Sequence, residues 1–216
     1  AKDGWAARAV VYANADDAHR VPAKAAEAYQ KAADLGDAWA MLSLAQMLGQ
    51  GNGVPVDFAR AKSLYDQAIA IGGDMPRWAF AGLGDLYRFA AADDRDPGKA
   101  VEAYETAISL GNPGAMVNLA RMLGAGDGVP VDFGRAEGLL KDAIAAGVGR
   151  DAWAALANLY ANAEAPHRDP AKAIPSICSL LHMSRRMFEG DATRADVLGP
   201  REMEYWARAM EKTARV

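Results

Sequence analysis

The pattern A-x3-L-[AG]-x2-[LY], a turn, and then D-x3-A-x2-[AL]-[YL]-x2-A-[AI]-x2-G recurs along most of this chain every 36 to 39 residues. A period of that length marks helix–turn–helix units. One such hairpin cannot bury its apolar face alone, so neighbours must stack into a solenoid whose long surface suits binding. The register is explicit. Gly36, Gly72, Gly111 and Gly147 close the second helices, Tyr29, Tyr65, Tyr104 and Leu140 lie seven residues before them, and Leu44, Leu83, Leu119 and Leu156 mark the first helices. A longer period is superposed: Gly51-Asn52-Gly53-Val54-Pro55-Val56-Asp57-Phe58 returns 75 residues later as Gly126-Asp127-Gly128-Val129-Pro130-Val131-Asp132-Phe133. The loops at Asp17–Pro22, Asp93–Pro97 and Ala165–Pro170 differ from this one, so odd and even repeats alternate as after duplication of a two-repeat unit.

The spacing predicts first helices over 2–14, 38–50, 75–91, 113–124 and 151–162, second helices over 22–34, 57–71, 97–110, 132–146 and 170–188, and a terminal helix over 200–214. Asp57, Asp96, Asp132 and Asp169 stand where N-caps belong, two of them before a proline at the first helical position. Val21 cannot cap, which makes that helix start softer. Asp37, Asp74, Asn112 and Asp151 are expected to cap the following first helices, and the closing glycines to be left-handed. Ala40, Ala45, Ala61, Ala68, Ala115, Ala120, Ala136 and Ala143 fall where helices should touch, with leucines between them. The stretch 182–216 leaves the repeat and reads as a cap, with Met203, Trp206 and Met210 on one helical face.

The run Ala115-x3-Leu119-Ala120-x2-Leu123-x2-Gly126-x-Gly128-Val129-Pro130-x-Asp132-x3-Ala136-x3-Leu140-x2-Ala143-Ile144-x2-Gly147 resembles a Sel1-like repeat, a relative of the tetratricopeptide repeat, and Ala40–Gly72 is equally similar. The other repeats lack the Gly-x-Gly-Val turn, and Pro175 stands where earlier repeats have Glu27 and Glu102. The resemblance implies an all-α, right-handed superhelical solenoid of about five hairpins over 1–181 with a capping segment over 182–216. It also implies an adaptor role in bacterial envelope signalling or a regulatory assembly. Alternatives are a glycan- or peptide-binding scaffold of an exopolysaccharide secretion machine, and the regulatory repeat domain of a larger enzyme. A periplasmic setting is favoured over the cytoplasm.

A formal charge of −4 argues against a general nucleic-acid or anionic-membrane surface. No apolar run approaches the ~20 residues of a membrane span. The single cysteine, Cys178, forms no intrachain disulfide and reads as a buried thiol. The chain opens at Ala1 inside a helical pattern and is read as a processed form or a segment of something longer. The turns Gly49-x-Gly51-x-Gly53 and Gly124-x-Gly126-x-Gly128 follow helices rather than strands and end in no Gly-Lys-Ser/Thr, so they read as tight turns, not phosphate loops. His19, His167 and His182 make no metal-ligand spacing, and no nucleophile motif occurs. The expectation is therefore no enzyme, no cofactor and no metal. The binding candidates are Gln46, Asp85, Arg88, Asn118, Arg121 and Asn158, polar residues beside the packing positions of first helices, expected to form a strip on the concave face that takes a protein or peptide. Trp5, Trp39, Phe80 and Trp153 begin the same helices, either as inter-repeat core or as part of that interface. Met41, Met47, Met116 and Met122 share a register and read as packing, with a soft binding stripe as the alternative.

Overall fold

The computed structural model describes residues 2–14 and 21–162, and among them every regular element is an α-helix. These are α1 (Lys2–Asn14), α2 (Pro22–Asp34), α3 (Ala38–Gln50), α4 (Phe58–Ile71), α5 (Met75–Phe89), α6 (Pro97–Ser109), α7 (Pro113–Ala125), α8 (Phe133–Ala145) and α9 (Gly149–Asn162). The class is an all-α repeat solenoid. The helices expected over 170–188 and 200–214, the cap at Asp169, the segment 182–216, Cys178 and all three histidines lie outside the described residues.

The chain divides into two compact units, Ala1–Ala115 and Met116–Val216. In the first, α1–α2, α3–α4 and α5–α6 are hairpins, α2 packs on α3, α4 on α5, and α3 on α5. In the second, α8 packs on α9, and Gly124 of α7 lies against Ala136 and Leu159. The alanines expected at helix contacts are all buried, as are Leu44, Leu83, Leu119 and Leu156. With only a methyl group at the crossing, the backbones approach closely and the large side chains fill the space beside them.

Each hairpin turn is fastened by one backbone bond onto the last turn of its first helix: Val21 N–H to Tyr12 C=O, Asp57 to Leu48, Asp96 to Tyr87 and Asp132 to Leu123. Asp57, Asp96 and Asp132 then cap the second helix by accepting from Arg60, Lys99 and Arg135 N–H. Val21 makes no side-chain cap bond, as its chemistry requires. The duplication reaches the turn geometry. Asn52 N–H bonds Met47 C=O as Asp127 bonds Met122, and Gly53 bonds Gly51 as Gly128 bonds Gly126.

At the helix ends Gly36, Gly72, Gly111 and Gly147 have φ of 80°, 80°, 83° and 90°. Three of these ends are Schellman motifs: Asp37 N–H reaches Ala32 C=O, Asn112 reaches Ala107 and Val148 reaches Ala143. Asp37 and Asn112 then cap the next helix at Ala40 and Ala115. Two expected caps are corrected. Asp74 follows the left-handed pair Gly72–Gly73 and is itself right-handed helical (φ −82°, ψ −9°), so its carboxylate makes no cap bond. Helix α9 starts at Gly149, which puts Asp151 inside the first turn, where its charge favours the helix dipole instead.

Candidate functional site

The fastening bonds give a common register for the first helices, with Tyr12, Leu48, Tyr87 and Leu123 at one position. Two residues earlier stand Gln46, Asp85 and Arg121, and Asn158 holds the same place in α9, two before Tyr160. Four of the six predicted binding residues therefore share one position. Asn118 lies three residues before that position and Arg88 three after it, on the same helical face.

In the first unit this face is a groove between α3 and α5, about 270 Å³ in volume. Trp39, Leu42, Ser43, Gln46, Gly49 and Gln50 form one wall, Trp78, Ala81, Gly82, Asp85, Leu86 and Phe89 the other, and Tyr65 of α4 the floor. Trp39 and Trp78 are 55% and 39% exposed with ring centroids 6.0 Å apart at 49°, and Phe89 is 64% exposed. The two indoles stand tilted to one another across the groove mouth, each leaving a large share of its surface in solvent.

The groove is built by glycine notches. A methyl group at Gly82 would lie 2.4 Å from the Tyr65 ring, and one at Gly84 would lie 2.5 Å from the Tyr104 ring. The tyrosines of the second helices thus pack directly on the backbone of α5. Tyr104 donates its hydroxyl to Asp85 at 2.5 Å. Burial, reinforced by the Asp85 carboxylate, pushes both the Tyr65 and Tyr104 phenols well above their ordinary range, so both stay protonated. Asp85 is accordingly half-buried and anchored to the layer beneath, while Gln46 is exposed. Arg88 is half-buried, its guanidinium 4.7 Å from the Phe89 ring centre.

In the second unit, Arg121 is exposed and donates to the Asp151 carbonyl at 3.4 Å, Asn158 is exposed and Asn118 half-buried. Packing follows the first unit closely. Gly124 meets Leu159 as Gly49 meets Leu86, and the Phe133–Tyr160 rings (5.7 Å, 54°) match Phe58–Tyr87 (5.6 Å, 62°). The aromatic groove lining is not repeated, since Gly114 and Asp151 stand in the places of Trp39 and Trp78. The two copies thus share their core packing and differ at these surface positions.

Sequence reasoning missed Trp78 and left open whether Trp39 belongs to the core or to an interface. Trp39 and Trp78 lie five residues before Leu44 and Leu83, whereas Phe80 and Trp153 lie three before Leu83 and Leu156. Five residues is a rotation of 140° away from the packing leucine, toward solvent. Trp5 and Phe80, in the other register, pack against the core. Met41 and Met122 are buried, and Met47 packs against the core.

The Sel1 repeat family model matches residues 10–37, 40–72, 81–112 and 113–148. The chain belongs to the Sel1 repeat family. Sel1 repeats commonly mediate protein–protein interaction and form scaffolds that are generally non-catalytic. The structure is similar to a Sel1 repeat protein from Oxalobacter formigenes (TM-score 0.60, 21% identity, covering 87% of this chain and 74% of that one). It is similar also to a protective antigen of uropathogenic Escherichia coli with the same type of fold (0.61, 21%, 98% and 46%) and to an immunity protein of Pseudomonas aeruginosa (0.55, 23%, 86% and 67%). Comparison with curated proteins gives no match. Among the described residues no helix is long and apolar enough to cross a membrane, and no cluster of His, Cys, Asp and Glu could hold a metal ion.

Proposed function

We propose that this Sel1 repeat protein is a non-catalytic adaptor whose first unit captures an extended segment of a protein partner in the α3–α5 groove. The observation that carries this reading is the exposed Trp39–Trp78 pair over a groove with Gln46, Gln50 and Asp85 in its walls. Rigid indoles supply contact area at little entropic cost, and the amides and carboxylate supply orientation through hydrogen bonds. Asn118, Arg121 and Asn158 hold the corresponding face of first helices in the second unit, and we include them as a separate, more polar contact. Helix α9 is read as the first half of a fifth hairpin in an array over 1–181, closed by the segment 182–216.

The setting proposed is a bacterial envelope signalling or regulatory assembly, periplasmic rather than cytoplasmic. The family resemblance supports it, and fractionation of the native cells tests it. A second reading, a glycan-binding scaffold in polysaccharide export, draws on the same indoles, because flat aromatic faces beside amides also suit sugar rings. A photo-crosslinking residue at position 46, with position 63 on α4 as control, separates these readings in the native cell. A discrete protein adduct from position 46 alone supports the adaptor. Adducts from position 63 only, or from neither position, count against it, and loss of the adduct with soluble oligosaccharide favours the glycan.

A further inference from the structure

Hairpin α1–α2 breaks the register at one telling position. Four residues before the fastening carbonyl, α3, α5 and α7 bury Leu44, Leu83 and Leu119. Helix α1 has Arg8 there, and it is exposed. On α2, Lys24 holds the place that Arg60 holds on α4, and Lys31 the place of Gln67. In the next step α2 packs on α3 and faces this side of α4 across a pocket. Arg60 donates to Gln30, and Gln30, Ala33 and Asp34 face Arg60, Ser63, Leu64 and Gln67.

On α1–α2 the same face is a hollow of about 160 Å³ lined by Trp5, Arg8, Tyr12, Lys24, Glu27, Ala28 and Lys31. The Arg8 guanidinium lies 5.5 Å from both the Trp5 and Tyr12 ring centres and donates to the Tyr12 hydroxyl. Lys31 lies 4.3 Å from the Trp5 ring centre and Lys24 5.9 Å from that of Tyr12. Three cations thus face one carboxylate on a chain of net charge −4, and none of the three is ion-paired among the described residues.

We infer that this face docks a helix of a partner protein that carries carboxylates where α2 carries Gln30 and Asp34. On hairpin α3–α4 the equivalent face already lies against a helix, since α2 packs on α3 and Arg60 of α4 reaches Gln30. Charge complementarity selects the chemistry of the docked helix. An apolar or amide surface closing the hollow would strip water from a guanidinium and two ammonium groups without offering a counter-charge. A helix with carboxylates offers it and covers the two rings at the same time.

The test uses the full chain and two fluorescein-labelled, alanine-based helical peptides, one with glutamates in i, i+4 pairs and one with glutamines instead, read by anisotropy. The glutamate peptide is expected to bind about tenfold tighter or more. Lys24→Glu/Lys31→Glu should abolish the difference. Arg8→Leu, which restores the ordinary register residue, should reduce it with helicity unchanged. Absent binding, equal binding of both peptides, or glutamate binding indifferent to the lysine changes would overturn the inference. Asp16 and Asp17 lie outside the described residues; binding seen only after Asp16→Asn/Asp17→Asn would assign the cations to the chain's own loop and equally overturn it. A dimer in sedimentation that Lys24→Glu/Lys31→Glu dissolves would replace the partner helix with a second copy.

Discussion

Asn112 illustrates how much a single side chain holds here. It is 2% exposed, its Oδ1 accepts from Ala115 N–H at 3.2 Å, and its Nδ2 donates to the Arg77 carbonyl at 2.9 Å. Asn112→Ala should cost about 2 kcal/mol in urea unfolding, combining a lost cap with a buried carbonyl left unpaired. Its capping role was legible from its place after Gly111; the bond to Arg77, 35 residues away in sequence, was not, because nothing local encodes it. Asp96 offers a test by pH. Hydrogen bonds from the Lys99 backbone and side chain hold its carboxyl below the usual carboxylate range. A lowered folded-state pKa means that its contribution is complete above the ordinary value and disappears as pH falls through the folded one. The stability difference between the wild-type chain and Asp96→Asn should therefore be constant above about pH 5 and close under more acidic conditions. A gap that persists unchanged to pH 2 would refute the ion-assisted cap. At Gly72 (φ 80°, ψ −154°) no atom would touch an added Cβ, so the cost is purely backbone. Gly72→Val should lose about 1–3 kcal/mol in the same unfolding measurement.

Between elements, the sequence carried the helices and their contacts but not the glycine notches that the tyrosines fill. Helix existence followed from apolar spacing, and most ends followed from Asp and Gly chemistry; α5 starts where expected but without a cap bond from Asp74, which follows paired glycines, and α9 starts two residues before the expected Asp151. That Tyr65 fills a notch at Gly82 required two residues 17 apart in sequence to be seen together. The second copy holds Leu140 and Ala155 at those positions, a smaller side chain against a larger partner. Gly82→Ala alone should cost about 1–3 kcal/mol, since the buried ring must move. Tyr65→Leu/Gly82→Ala, which installs the pair of the second copy, should be less destabilised than the sum of its single changes by about 1 kcal/mol or more. Additive effects in that double-mutant cycle would contradict the notch.

At the scale of the whole molecule, the 75-residue duplication supplies its own control. Turn bonds, caps and ring pairs recur in both copies, which explains why the repeat could be read without coordinates. The lining of the groove was only partly legible: the polar residues at one register and Trp39 were read from the sequence, but the pairing of Trp39 with Trp78 depends on a 140° helical rotation and on the packing of α3 with α5. The central claim is that the aromatic groove of the first unit, rather than the repeat framework, captures the partner. Trp39→Gly/Trp78→Asp tests it most directly, because it writes into the first copy the residues Gly114 and Asp151 that the second copy already accommodates. Helicity should persist, with a stability change of about 1 kcal/mol or less. Affinity for the partner crosslinked from position 46 should fall about tenfold or more. Full affinity in a folded double variant would contradict the account.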